Sequence, residues 1–177
     1  MAENKTKGGT TRKHGAVRGN NVVKRSTPNS RTKAKQKTKT AGAVKAGHGE
    51  YYFRIAEIEK VDAGTGYSTS HGGVVEGDRL LVGWIHKPHG TGSRMHAHKN
   101  EQFNYVVKGT LRCEINGVKS LAPTGTLIFV PANAPHTMVA TAEEDVIFIA
   151  IKDLSQGIIG KAIDGTMSGP HYDPGFA

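Results

Sequence analysis

The chain is short of the features that staple a small protein or anchor it in a membrane. Its 177 residues include one cysteine, Cys113. A single thiol cannot close an internal disulfide, which excludes a disulfide-stapled secreted scaffold. Aromatic residues make up only 6% of the sequence, and none precedes Tyr51. No apolar run approaches the roughly 20 residues of a membrane span. The first residues also lack the roughly 7–15-residue apolar core of a secretory signal. These absences point to a soluble, cytoplasmic protein without a membrane partner. Acid is the other scarcity: residues 1–49 hold 13 basic residues and one acid, Glu3, against 11 basic and 14 acidic over residues 50–177. The net charge of +9 therefore belongs to a tail, while the rest of the chain is slightly acidic.

Residues 1–49 alternate Lys with Thr, Ala and Gln through Arg31–Thr40 and have little apolar surface to bury. Such a segment cannot offset its ordering entropy, so it is expected to be disordered. Clustered Lys and Arg release counterions from phosphates, which allows weak, non-specific nucleic-acid contact through this tail. No zinc-finger, helix-turn-helix or RNA-recognition pattern accompanies it, so sequence-specific recognition has no support. Residues 50–177 form the folded domain. Tyr51–Asp62 mixes a period of two with a helical period and stays open between strand and helix. Beyond it, short strand-like runs recur between turn signals, among them Thr110–Ile115 and Val118–Leu121 around Asn116-Gly117, a type I′ hairpin signal. Many short strands at such spacing predict an all-β sandwich or barrel. The last 26 residues, Lys152–Ala177, are rich in Gly and Pro and are expected to wrap the outside.

Chemistry concentrates in Arg94-Met-His96-Ala-His98-Lys-Asn-Glu-Gln102. Histidines at i and i+2 of a strand project to one face, so both imidazoles can reach one metal ion. His136 follows the Pro-bounded turn Pro131–Pro135 and opens another strand. Three imidazoles from two strands suit Zn, Fe, Mn, Ni or Cu.

These residues resemble the two motifs of the cupin superfamily, in particular its small single-domain members. The first motif reads G-x5-H-x-H-x3,4-E-x6-G, and Gly90, His96, His98, Gln102 and Gly109 fit it with Gln in place of Glu. The second reads G-x5-P-x-G-x2-H-x3-N; Gly125, Pro131, Asn133, His136 and Ala140 follow it, Asn replacing the inner Gly and Ala the final Asn. Asn tolerates positive φ better than most residues, so the first replacement is physically sensible. The resemblance covers residues 90–140 in its motifs and implies one double-stranded β-helix, the jelly-roll barrel, behind the basic tail. It also implies one divalent ion held by His96, His98, His136 and a fourth group.

Residues 96, 98 and 102 share parity, which selects Gln102 as that group; a bulge would deliver Glu101 instead. Three neutral imidazoles and an amide leave the ion's charge uncompensated and favour an anionic substrate oxygen. Arg94 and Asn104 have the parity to face the cavity and are the candidate substrate contacts. Phe103 and Tyr105 fall on the outer parity, and Trp84 is assigned to the core on base rate. The resemblance implies isomerases, decarboxylases, lyases and dioxygenases alike, so the reading is a metal-dependent enzyme of a small carboxylated or oxygenated metabolite. The rival is a metal- or ligand-binding sensor without turnover, whose tail touches nucleic acid. Exposed sheet edges need covering, and a homodimer is expected.

Overall fold

In the computed structural model, residues 37–163 and 169–176 are described. The stretch before residue 37, and with it most of the expected disordered tail, lies outside the described residues. In chain order the strands are β1 (Val44–Lys45), β2 (Val61–Asp62), β3 (His71–Glu76), β4 (Leu80–Lys87), β5 (Thr91–Gly92), β6 (His96–Ala97) and β7 (Gln102–Lys108). They continue with β8 (Thr110–Ile115), β9 (Val118–Pro123), β10 (Leu127–Val130), β11 (His136–Ala140), β12 (Val146–Asp153), β13 (Lys161–Ala162) and β14 (His171–Tyr172). Among the described residues the only helical element is the 3-10 turn Ile55–Glu57. The segment left open between strand and helix is thus neither a long strand nor an amphipathic helix. Among the described residues no helix is long and apolar enough to cross a membrane.

Two seven-stranded sheets make the barrel, one in the order β1-β3-β4-β12-β7-β10 with β2 beside β3. The other runs β13-β6-β11-β5-β14, with β8 pairing both β11 and β9. Every named pair is antiparallel except β1 with β3. The β8–β9 hairpin turns at Asn116 and Gly117, whose φ values of 50° and 79° are those of the expected type I′ turn. Burial alternates with a period of two along β4, β7 and β12. Leu81 and Ile85 of β4 face Val106 of β7, Phe148 of β12 and Leu111 of β8 in one apolar cluster. Full burial of each such side chain stabilises the fold by roughly 1.5–3 kcal/mol. Trp84 does not join them. It lies half-buried on the opposite face of β4, because its even-numbered position alternates with Leu81, Gly83 and Ile85.

The expected boundary at Gly49 is too late. Thr40 is buried, and β1 pairs in parallel with Val75 and Glu76 of β3. The buried Glu76 carboxylate accepts from the amides of Lys39 and Thr40, at 2.8 and 2.7 Å. These bonds order residues that have almost no apolar side chains to bury. At the other end the chain does wrap the barrel, but as more than a cover: β13 pairs with β6, β14 pairs with β5, and Ile158 enters the core.

Candidate metal centre

Register brings the histidines together. His136 of β11 is the antiparallel partner of His96 of β6, and their ring centres lie 4.1 Å apart. His98 follows β6 directly, 4.7 Å from the His136 ring. Asn133, at φ 62°, occupies the place of the motif's inner glycine and donates its amide to the His98 carbonyl at 2.8 Å. The turn of the second motif is thereby tied to the histidines of the first. Gly109 serves similarly at the end of the first motif: its φ is 80°, and a Cβ there would lie 2.9 Å from the Asp145 carbonyl.

All three imidazoles are buried, and each Nδ1 faces a backbone carbonyl: Arg94 for His96 at 2.8 Å, Asn100 for His98 at 2.9 Å, Ala134 for His136 at 2.8 Å. A carbonyl only accepts, so each Nδ1 carries the proton and each Nε2 keeps its lone pair. The ligating nitrogens lie within 4.8 Å of one another. Nε2 of His98 is buried with no hydrogen-bond partner, an orphan whose cost an ion would remove. Burial pushes His96 down to about 2, His98 to about 3 and His136 to about 4, so all three are neutral near pH 7. Tautomer, protonation and convergence all fit a metal ion, and the carbonyl partners are the supports that usually orient metal-bound imidazoles.

Gln102 opens β7, is buried, and donates from Nε2 to the side-chain Oδ1 of Asn104 at 2.6 Å. Asn104 is fully buried and faces the sulfur of Met138 at 3.2 Å. Glu101 is exposed, its amide bonded to the Asp153 carboxylate. The irregularity in β7–β12 pairing falls between Ile147 and Phe148, at the far end of β7. Arg94 is also exposed, and its Nε donates to the Gly169 carbonyl at 2.8 Å. The expected inward parity does not reach it, because residues 93–95 lie between β5 and β6 rather than in a strand. Ser93 is held there by hydrogen bonds to Met138 in both directions.

A cavity of about 50 Å3 adjoins the histidines, lined by His96, His136, Gln102 and Asn104 among others. By the scale of one water, it has room for a few solvent molecules or a small ligand. Two of its walls escaped the sequence reading. Lys87, the last residue of β4, and Lys152, near the end of β12, are 2% and 5% exposed and both line the cavity. Desolvation lowers each to about 7. The signal was their parity: Lys87 continues Leu81, Gly83 and Ile85, and Lys152 continues Phe148 and Ala150. Tyr67 also lines the cavity, stacked 4.6 Å from the His96 ring, with its hydroxyl accepting from the Gly160 amide.

A second group of histidines sits outside. His71 and His86 are cross-strand partners with Nε2 and Nδ1 3.2 Å apart. His86 Nε2 meets Asp145 at 3.0 Å, and His89 reaches the other oxygen of the same carboxylate. Hydrogen bonds from His89 and His86 hold the Asp145 carboxyl well below the usual carboxylate range.

The cupin domain family matches residues 83–152, the span from β4 to β12 that carries every residue of the triad. The barrel has the cupin fold. Solved structures agree in fold. KdgF from Halomonas sp. is 23% identical, with a TM-score of 0.50 over 59% of this chain and 93% of its own. The polyketide cyclase RemF from Streptomyces resistomycificus is 16% identical, with a TM-score of 0.53 over 60% of this chain and 80% of its own. Both are likenesses of the cupin fold. No curated protein matches the sequence.

Proposed function

We propose that this cupin is a metal-dependent enzyme that acts on a small carboxylated or oxygenated metabolite. The observation that carries the reading is the convergence of three neutral, proton-fixed imidazoles beside a cavity lined with polar groups. His96, His98 and His136 would hold one divalent ion, with Gln102 as the fourth ligand. When bound, the ion would supply Lewis-acid or O2 chemistry at a substrate oxygen. The chain's own residues do the rest. Asn104 orients the substrate from the cavity wall, Phe148 and Ile158 exclude water from one side, and Lys87 supplies a group able to hold or give up a proton near neutral pH. Lys87 also favours turnover over the sensor reading, since a binding module has no need of a proton carrier at that cavity.

As partners, we propose a small anionic ligand and a second copy of the chain. The outer face of β7 and β10 presents Phe103, Tyr105, Leu127 and Phe129 in adjacent pairs, an apolar patch suited to pairing. For residues 1–36, the proposal is a removable segment whose weak nucleic-acid binding falls steeply with salt. The test of the central reading is metal analysis of the purified protein, followed by screening small hydroxy- and keto-carboxylates for metal-dependent conversion by NMR. A protein that takes up no divalent ion under any of the five metals would overturn it.

A further inference from the structure

Two lysines, Lys87 and Lys152, and no acidic residue line the cavity. Among the described residues Lys152 Nζ has one hydrogen-bond partner, the Ile158 carbonyl at 2.9 Å. Among the same residues Lys87 Nζ reaches only the Ser68 hydroxyl, at 3.5 Å, the outer limit of a hydrogen bond. Among the described residues neither ammonium has a carboxylate partner. Asp153, next to Lys152 in sequence, is turned away and engaged by the amides of Glu101 and Ser155. A buried cation without a hydrogen-bonded counter-charge is costly in a fold, and a negatively charged ligand would offset that cost.

The two lysines do not serve one anionic group together. Lys152 is the register partner of Gln102, at the histidine end. Lys87 is the partner of Val146, six positions back along β12. At about 3.3 Å per residue their backbones stand roughly 20 Å apart, and both side chains line the cavity. We propose that the cavity takes a short dianionic ligand, a dicarboxylate or its equivalent, with one anionic group at the histidine end beside Lys152 and the other at Lys87. The proposal rests on the metal-centre reading for the first of these groups and on the lysines alone for the second. Asn104, between the two ends on β7, is placed to bond the middle of such a ligand.

The test is calorimetric titration of the full-length protein with malonate and succinate against acetate, beside metal analysis of the same samples. Lys87→Met and Lys152→Met are the probes, and the exposed Lys108→Met is the control for general charge. At least one dicarboxylate is expected to bind ten-fold or more tighter than acetate. Lys87→Met should erase that preference with metal content unchanged, Lys152→Met should weaken both ligands, and Lys108→Met should alter neither. A wild-type protein that binds acetate and both dicarboxylates equally would overturn the proposal, as would a preference that survives Lys87→Met. Absence of metal together with a Lys87-dependent preference would sink the metal reading and leave this one standing. Near-UV circular dichroism of each variant confirms that the barrel is intact.

Discussion

Two trios of histidine occupy this barrel, and they differ in what their nitrogens are doing. In the inner trio, His96, His98 and His136, each Nδ1 is spent on a backbone carbonyl and the Nε2 atoms are left facing one another. In the outer trio, His71, His86 and His89 spend ring nitrogens on each other and on Asp145, at half-exposed positions. The inner set is buried without acid and kept neutral. The outer set gathers around a carboxylate at the surface. Residue type alone does not make a ligand; a lone pair left unspent in a dry place does.

The largest effect should come from removing the inner set. His98→Ala with His136→Ala is expected to abolish stoichiometric metal binding, while His71→Ala with His86→Ala leaves one tightly held ion. Equal metal content in both double variants, read by mass spectrometry after dialysis, would erase the contrast. Next in size is Lys87→Met, which removes a buried cation from the inner environment. It should raise stability at pH 7 by about 1–4 kcal/mol, measured by denaturant unfolding. The sign follows from linkage. Lys87 falls from its ordinary 10.5 to about 7 in the fold, so the unfolded chain holds more protons between those values. Its contribution is therefore fully present above about 10.5 and is lost as pH falls to 7. The gain from Lys87→Met should shrink toward pH 10, and a gain independent of pH would contradict the assignment.

A finer test lies at the fourth position. Gln102→Glu should keep or tighten the metal and weaken carboxylate binding by about ten-fold, or about 1.4 kcal/mol, because it lowers the site's charge by one. Glu101→Gln should change neither. Loss of metal in Glu101→Gln but not in Gln102→Ala would move the fourth ligand to Glu101. The smallest effect belongs to the outer trio. Asp145→Asn removes the anion that His86 and His89 share, yet the carboxylate is 40% exposed and the cost should be about 1 kcal/mol or less in thermal unfolding.

The barrel and the triad were legible because their signals are local. Turn residues at Asn116-Gly117 and Asn133, and the two-residue spacing of His96 and His98, act over a few positions and need no knowledge of neighbours. Parity served for Gln102 and Asn104 because both lie in the regular strand β7. It misled at Arg94, where the chain leaves the strand while Ser93 is clamped to β11. Lys87 and Lys152 were passed over because lysine is rarely buried, although each sits in step with the apolar residues before it. The folding of residues 37–49 gave no sign at all. Their order comes from donors to Glu76, a residue about forty positions away, and no periodicity of the segment itself encodes that.

The bonds at Thr40 run further than the edge of the sheet. Its amide donates to Glu76, its hydroxyl accepts from the Ile158 amide at 3.0 Å, and the Ile158 carbonyl accepts from Lys152 inside the cavity. Two hydrogen bonds thus join the far N-terminal strap to an ammonium beside the histidines, and a third ties the strap to β3, although the strap lies outside residues 83–152. Where the chain is cut consequently decides what is learned from cutting it. Trimming before residue 37 tests the basic tail alone. Trimming at Gly49 leaves the Glu76 carboxylate without its donors and frees the peptide that positions Lys152, so a change in ligand binding would report on the cavity rather than on the tail.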